Sequence, residues 1–138
     1  MTTRLNPYLN FKNDAREAME FYKSVFGGTL NLQTFKDFHA SQDPSEDDMI
    51  MHSVLEADGI TFMASDTPDR MEYQPGHTNF GMSLQGEDAA ELSGYFRKLS
   101  AGGSVTMPLE KAAWGDTFGM VTDRFGISWL VNITATKS

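Results

Sequence analysis

The chain contains two similar segments, and this repeat constrains its fold more than any other feature. Residues 8–30, "YLNFKNDAREAMEFYKSVFGGTL", and residues 81–105, "GMSLQGEDAAELSGYFRKLSAGGSV", each pass from an apolar strand through a polar turn into an amphipathic helix, a Gly-Gly pair and a new strand. Asp14 matches Asp88 and the Gly-Gly pairs also match, at offsets of 74 to 75 residues. Because repeated segments of this length are usually repeated structural units, the pattern predicts two units of the same fold.

The helix in each copy is indicated by apolar residues at i, i+3 and i+4 spacing. Asn13 or Asp14 can cap the first helix at its N terminus, and Glu17 lies in its first turn. Each Gly-Gly pair fits a helix C-cap, where a left-handed backbone is needed. The apolar positions are Ala15, Ala18, Met19, Tyr22, Val25 and Phe26 in the first copy, and Ala89, Leu92, Tyr95, Phe96 and Leu99 in the second.

Three strand-like runs follow each helix, and the turn signals "EADG" and "DRFG" join the last two runs of each copy. The runs cover roughly residues 29–36, 49–55 and 60–65, then 104–107, 118–122 and 127–133. We therefore predict an α+β fold in a single domain, made of two tandem βαβββ modules at about residues 5–66 and 78–134. The helices are expected outside, and the inner face of the sheet is expected to enclose a cavity.

Composition excludes several classes of protein. The chain has no Cys, which excludes disulfides, Cys-based zinc sites and Cys nucleophiles. A net charge of −8 argues against binding to nucleic acid, which requires clustered Lys and Arg. There is no apolar run long enough to span a membrane and no apolar signal-peptide core at the start. We therefore expect no membrane partner and a cytoplasmic location.

Three segments together resemble one known family: "PYLNFKNDAREAMEFYKSVFGG", "IMHSVLEADGITFMASD" and "WGDTFGMVTDRFGISWLVNI". With the duplicated βαβββ pattern, they are similar to the vicinal-oxygen-chelate superfamily, which includes glyoxalase I, extradiol dioxygenases and bleomycin-resistance proteins, and within it to the PhnB-like branch. The resemblance implies a curved eight-stranded mixed sheet around a cavity, and a homodimer. Some proteins of this branch carry a quinone-methyltransferase label. The sequence has no glycine-rich nucleotide-type motif for S-adenosylmethionine, so the label is not adopted here.

The best-known members of the superfamily hold a divalent metal with His and Glu at four strand positions. Alignment with the glyoxalase I pattern places these positions at Pro7, Ala64, Asn79 and Leu130. The side chains of Pro, Ala and Leu cannot coordinate a metal, and Asn is a poor lone ligand. A slip of one residue gives no better set, namely Tyr8, Ser65, Thr78 or Trp129. We predict no cofactor and no four-ligand metal site, and a divalent metal at another position stays open.

His52 is the first of three candidate catalytic residues. It lies in "MIMHSVL", an otherwise apolar strand, and its imidazole titrates near neutral pH, which suits a general base or a ligand contact. A histidine at this place also recurs in the family that the chain resembles. The alternative is a histidine hydrogen-bonded within the core or within a dimer interface.

Asp66 and Asp116 are the other two catalytic candidates. Asp66 ends the strand "ITFMASD" and by alternation shares the face of Phe62 and Ala64, the face that holds the ligand in metal-dependent relatives. Its carboxylate could bind a cation, pair with His52, or cap the "DTPD" turn. Asp116, in "AWGDTFG", precedes the seventh strand and could take part in proton transfer.

Five residues are candidates for ligand contact. Asn79 and Ser128 are polar residues expected to face the cavity. Trp114 beside a glycine suits a loop that folds over a pocket mouth, with the indole as an apolar wall, and packing in a core or dimer interface is the alternative. Phe11 and Phe62 belong to an aromatic set that is expected to line an apolar pocket, while ordinary core packing explains most of that set.

These features leave the function open between binding and catalysis. One hypothesis is a protein that binds a small molecule in an apolar cavity and acts as an enzyme without the usual metal site, with His52, Asp66 or Asp116 transferring protons. The alternative is non-catalytic sequestration of a small molecule, as in the bleomycin-resistance branch. A dimeric scaffold without a ligand is a third possibility.

Overall fold

The computed structural model describes residues 5–68 and 81–135 of the chain. The chain divides into two compact units, Met1–Pro75 and Gly76–Ser138, called module 1 and module 2. Each unit contains one of the two predicted βαβββ segments. Asn79 lies outside the described residues.

Module 1 has the predicted order of one helix and four strands. These are β1 (Tyr8–Phe11), α1 (Ala15–Phe26), β2 (Thr29–Thr34), β3 (Ile50–Ala57) and β4 (Ile60–Asp66), with one turn of 3₁₀ helix at Pro44–Glu46. The strands form a four-stranded mixed sheet in the order β1-β4-β3-β2. β1 runs parallel to β4, and the other neighbouring strands are antiparallel.

Helix α1 covers one face of this sheet. Its apolar stripe is buried as the spacing predicts, and Met19 and Tyr22 have no exposed surface. The ring of Phe62 in β4 packs edge-on against Tyr22 and Phe26, with centroid distances of 5.5 and 6.3 Å. The stabilisation of this face therefore comes from apolar burial and aromatic contact between helix and sheet.

The two faces of the module 1 sheet follow from the alternation of side chains along each strand. We call the side packed by α1 the helix face and the opposite side the distal face. The helix face carries Leu9, Phe11, Ser53, Leu55, Phe62, Ala64 and Asp66, all buried. The distal face carries Tyr8, Asn10, Gln33, His52, Val54, Met63 and Ser65.

Module 2 repeats the same order and topology. Its elements are β5 (Met82–Gly86), α2 (Ala89–Ser100), β6 (Ser104–Lys111), β7 (Thr117–Thr122) and β8 (Ser128–Ile133). The strands form a four-stranded mixed sheet in the order β5-β8-β7-β6. β5 runs parallel to β8, and the other neighbouring strands are antiparallel.

Helix α2 covers one face of the module 2 sheet through Leu92, Phe96 and Leu99. A Cβ placed on Gly119 of β7 would lie 3.0 Å from the ring of Phe96, which shows how closely the helix approaches the sheet. The helix face of module 2 carries Gly119, Val121, Trp129, Val131 and Ile133. Its distal face carries Ser83, Gln85, Phe118, Met120, Ser128, Leu130 and Asn132.

The second glycine after each helix, Gly28 or Gly103, lets the chain entering the next strand pass close to the neighbouring strand. A Cβ on Gly28 would collide with the carbonyl oxygen of Glu56, and a Cβ on Gly103 would collide with that of Thr122. The predicted C-cap is correct for α1, which ends at Gly27 with a φ of 76°. It is wrong by one residue for α2, whose C-cap is Ala101, because the left-handed glycine follows the cap.

The predicted α+β fold of two tandem βαβββ modules is confirmed, and its eight strands form two four-stranded sheets. The main difference is β6, which continues to Lys111, beyond the predicted end at Met107. It continues past Pro108 because β6 is an edge strand, where a missing N–H need not break a ladder bond. Within the described residues, neither helix is long and apolar enough to cross a membrane.

Candidate functional site

The helix face of module 1 is largely core, packed beneath α1. Phe11 and Phe62 are each 1% exposed, and Phe62 lies beneath the rings of α1. The prediction that these two rings line an apolar pocket is therefore wrong. Alternation had correctly placed Phe62, Ala64 and Asp66 on one face, but that face is the one that α1 covers.

Asp66 is buried and holds two backbone amides at the end of β4. Its Oδ1 accepts a hydrogen bond from the N–H of Ala15 at 2.9 Å, and its Oδ2 accepts one from the N–H of Ile50 at 2.9 Å. Ala15 is the first residue of α1, where a negative charge is favourable. Asp66 thus fastens the start of α1 and of β3 to β4. Pairing with His52, one of the alternatives for Asp66, does not form, because His52 lies on the opposite face.

A polar pocket of about 320 Å³ lies beside Asp66 at the start of α1. Apart from Met49, the residues around it are charged or polar, and the complete lining is Asn13, Arg16, Glu17, Ser45, Asp48, Met49 and Asp66. This pocket therefore differs from the apolar cavity that the sequence predicts.

His52 lies on the distal face of β3 and is half-buried. Its ring centroid is 6.2 Å from that of Tyr8, with the two planes inclined by 33°, and Gln33 is its cross-strand neighbour. Within residues 5–68 and 81–135, the imidazole has no hydrogen-bond partner. Among the described residues, both ring nitrogens therefore lack a protein partner.

Neutral hydrogen-bonding side chains surround His52 on the distal face. Asn10 pairs with Ser65 across β1 and β4, and Tyr8, which is 46% exposed, pairs with Met63. Tyr8 and Asn10 are not among the predicted ligand contacts. Their alternation with the buried residues of β1 is the signal that would have found them.

The distal face of module 2 has an apolar centre. Met120 pairs with Leu130, and Phe118 pairs with Asn132, across β7 and β8. Ser128 lies on the same face as Leu130 and is half-buried, at the side where the sequence analysis expected it. Asn79, the other polar candidate, falls outside the described residues.

Trp114 and Asp116 lie in the turn between β6 and β7 and contact β8 through Asn132. The indole Nε1–H of Trp114 donates to Oδ1 of Asn132 at 3.3 Å, and Nδ2 of Asn132 donates to Oδ2 of Asp116 at 3.0 Å. Oδ1 of Asp116 accepts a bond from the N–H of Ala135 at 2.9 Å. Trp114 is 62% exposed, and its ring meets Phe118 edge-on at 5.6 Å.

These bonds lower the pKa of Asp116 below its ordinary value of 3.8, chiefly through the backbone amide of Ala135 and then through the Asn132 side chain. The carboxylate therefore stays ionised at neutral pH, with both oxygens accepting hydrogen bonds. This arrangement suits a residue that orients its neighbours more than one that takes up a proton.

The residues present do not fit the four-ligand metal site of the superfamily. Ala64 is buried under α1, and the next residue, Ser65, occupies the distal face of β4. Tyr8 and Leu130 occupy the distal faces of β1 and β8. None of these side chains is an imidazole or a carboxylate. Across the described ranges, no group of three His, Asp or Glu side chains could hold a metal ion.

Comparison with known proteins identifies relatives over nearly the whole chain. A family model described as 3-demethylubiquinone-9 3-methyltransferase matches residues 3–132. The crystal structure of protein PA1353 from Pseudomonas aeruginosa is 38% identical in sequence, with a TM-score of 0.81. The match covers 96% of this chain and 98% of that chain.

Two more distant structures share the fold. A putative 3-demethylubiquinone-9 3-methyltransferase, PhnB protein, from Bacillus cereus is 23% identical with a TM-score of 0.74, over 96% of this chain and 100% of that chain. A member of the glyoxalase/bleomycin resistance protein/dioxygenase superfamily from Sphaerobacter thermophilus is 18% identical with a TM-score of 0.59, over 97% of this chain and 100% of that chain. At these identities the likeness concerns the fold alone.

Proposed function

The chain belongs to the family described as 3-demethylubiquinone-9 3-methyltransferase, and we propose that it binds a small organic molecule on the distal faces of its sheets. The predicted resemblance to the PhnB-like branch of the glyoxalase/bleomycin resistance/dioxygenase superfamily is confirmed. Methyl transfer is not part of the proposal, because the sequence has no glycine-rich nucleotide-type motif.

The proposal is carried by His52. Among the described residues, its ring nitrogens are not buried atoms that lack a partner, so they reach solvent and can exchange water for the polar groups of a ligand. In the described part of the chain, nothing supplies a partner for the imidazole of His52. Tyr8 and Gln33 beside it add a ring face and an amide to the same surface. A small molecule with polar groups would satisfy this arrangement.

Non-catalytic sequestration is better supported than catalysis. Asp66 lies on the face opposite His52 and holds two backbone amides. Asp116 is held ionised by its own hydrogen bonds. An enzymatic mechanism on this surface would therefore have to rest on His52 alone among the three catalytic candidates.

A homodimer in the cytoplasm remains part of the proposal. The homodimer rests on the family resemblance. The net charge of −8 supports a function that does not involve nucleic acid. The absence of Cys suits a reducing compartment.

A screen of small organic fragments by saturation-transfer NMR tests the proposal directly. Each fragment that binds the wild-type protein is titrated against the His52→Gln variant. We expect affinity to fall roughly tenfold, because the fragment loses a hydrogen-bond partner. The matched control is His39→Asn, which removes an exposed imidazole from a turn residue with a φ of 55°. Asn tolerates this left-handed backbone, so the control should leave affinity unchanged.

Two results would contradict the proposal. The first is a library without a single binder. The second is a set of binders whose affinities are unaffected by His52→Gln, which would make His52 a structural residue. Mass spectrometry of each binder after incubation separates the two kinds of function. Sequestration predicts unchanged fragments, whereas conversion that His52→Gln abolishes would establish an enzyme.

A further inference from the structure

Trp114 is an exposed side chain that is nevertheless held in one orientation. It is 62% exposed, so its apolar ring contributes little burial to the fold. Its indole is fixed by the hydrogen bond from Nε1 to Asn132 and by the edge-on contact with Phe118. Fixing a large side chain costs conformational entropy. The hydrogen bond and the aromatic contact offset this cost, and most of the ring surface stays exposed.

The orientation of Trp114 depends on a chain of hydrogen bonds, which we call the Trp114 latch. It runs from Trp114 to Asn132, from Asn132 to Asp116, and from Asp116 to the backbone of Ala135. The latch joins the β6–β7 turn to β8 and to the residues that follow it. Asn132 uses both ends of its amide and Asp116 uses both oxygens, so these polar groups are already occupied.

The occupied polar groups decide what this surface can recognise. With the Nε1–H of Trp114 bonded to Asn132, the indole presents its ring surface and not its hydrogen-bond donor. An aromatic face binds another flat ring by offset stacking or an edge-on contact. The residues on either side, Ala113 and Gly115, have small side chains that leave the ring accessible.

We propose that Trp114 is a stacking platform for a flat aromatic ring of the ligand, and that Asp116 and Asn132 are positioning residues that hold it. This inference rests on the proposed small-molecule function and names the chemistry of the ligand. It uses residues of module 2 only, so it can fail separately from the role of His52 in module 1.

Two probes of similar size test the flatness of the ligand: 2-naphthol, which is aromatic, and trans-2-decalol, its saturated counterpart. Nitrogen–proton correlation spectra report on the indole N–H of each tryptophan. Trp129 is an internal control, because it is 2% exposed and its Nε1 donates to Asp123. We expect 2-naphthol to shift the Trp114 signal saturably and to leave the Trp129 signal in place. Decalol should bind roughly three- to tenfold more weakly, as expected for the loss of an aromatic contact.

Variants of the Trp114 latch distinguish the role of the Trp114 ring in binding from the role of Asp116 in holding that ring. Trp114→Leu keeps an apolar side chain without a flat ring, and we expect it to weaken 2-naphthol binding roughly tenfold. Trp114→Phe keeps a flat ring and should retain most of the affinity. Asp116→Asn should weaken binding roughly fivefold, because the loss of one hydrogen bond loosens the indole. Trp114 is exposed, so its variants are expected to fold, and the Trp129 signal verifies this in each.

A pH series tests whether the ionised carboxylate of Asp116 holds the indole of Trp114 in place. The folded pKa of Asp116 is depressed, so the ionised latch is fully present above the ordinary value of 3.8 and is lost as pH falls through the lower folded value. Hydrogen exchange at the Trp114 indole, relative to Trp129, should therefore show no latch-dependent change above that ordinary value. Below it, the protection of Trp114 should fall. In Asp116→Asn this transition should be absent.

Three outcomes would overturn the platform: no saturable shift of the Trp114 signal, equal affinity for 2-naphthol and decalol, or full binding by Trp114→Leu. A Trp114 signal that moves with protein concentration alone would also overturn it, by showing that a second copy of the chain covers the indole. Fragments that depend on His52 in the absence of any 2-naphthol binding would refute the platform and leave the proposed function standing. Binding of 2-naphthol at Trp114, with no fragment whose affinity depends on His52, would refute the role of His52 and leave the platform standing.

Discussion

At the scale of single residues, the two carboxylates that resemble catalytic groups in the sequence are occupied by hydrogen bonds. Asp66 accepts from two backbone amides in a buried site, and Asp116 accepts from a backbone amide and from Asn132. Position along a strand predicts the face on which such a residue lies. It does not predict that the backbone amides of Ala15 and Ile50 donate to Asp66, because those contacts depend on how α1 packs against the sheet.

Asp66→Asn tests the structural role of this carboxylate. The variant keeps an acceptor for one amide but sets an NH₂ group against the other. We expect the free energy of unfolding in urea to fall by about 2 kcal/mol, as for the loss of a hydrogen bond to a charged group. Asp58→Asn, at an exposed position in the turn after β3, is the matched control and should change stability by less than about 0.5 kcal/mol. Unchanged stability in Asp66→Asn would contradict the role given to this residue.

At the scale of elements, the repeat predicted the helices and strands because each copy carries its own spacing, turn and glycine signals. Which sheet face the helix covers was harder to predict. In β8 the choice is clearer, since Trp129, Val131 and Ile133 alternate with a set that includes the polar residues Ser128 and Asn132. In β4 the sequence is ambiguous, because Met63 and Ala64 are both apolar. The family alignment therefore chose a residue on the face of β4 that α1 covers.

The second glycine of the pair after each helix, Gly28 or Gly103, allows a mutational test at the scale of elements. Gly28→Ala and Gly103→Ala should each lower the free energy of unfolding by about 1–3 kcal/mol or more, because the new Cβ collides with a carbonyl oxygen of the neighbouring strand. Gly94→Ala is the control, since a Cβ there meets nothing within 4 Å. In the interior of α2 this change should stabilise the protein by up to about 1 kcal/mol. Equal effects at all three glycines in urea unfolding would contradict this account.

At the scale of the whole molecule, the two modules share their construction and differ on their distal faces. The strand pairing places His52 of module 1 where Phe118 stands in module 2, because Ser53 and Gly119 pair with equivalent residues of β4 and β8. The distal face of module 1 is thus the more polar, and that of module 2 the more apolar. A duplicated sequence predicts the common fold. The chemistry of the distal faces lies in the positions where the two copies have diverged, and no pattern in one sequence shows what those positions bind.

The claim that ligands bind the distal faces is tested most directly by labelling the methyl groups of the nine methionines and recording spectra with each fragment that binds. Met63 and Met120 lie on the distal faces of modules 1 and 2, whereas Met19 lies on the buried side of α1 and has no exposed surface. We predict that bound fragments shift the Met63 or Met120 signal and leave that of Met19 in place. A fragment that shifts Met19 while both distal-face signals stay unchanged would contradict the assignment.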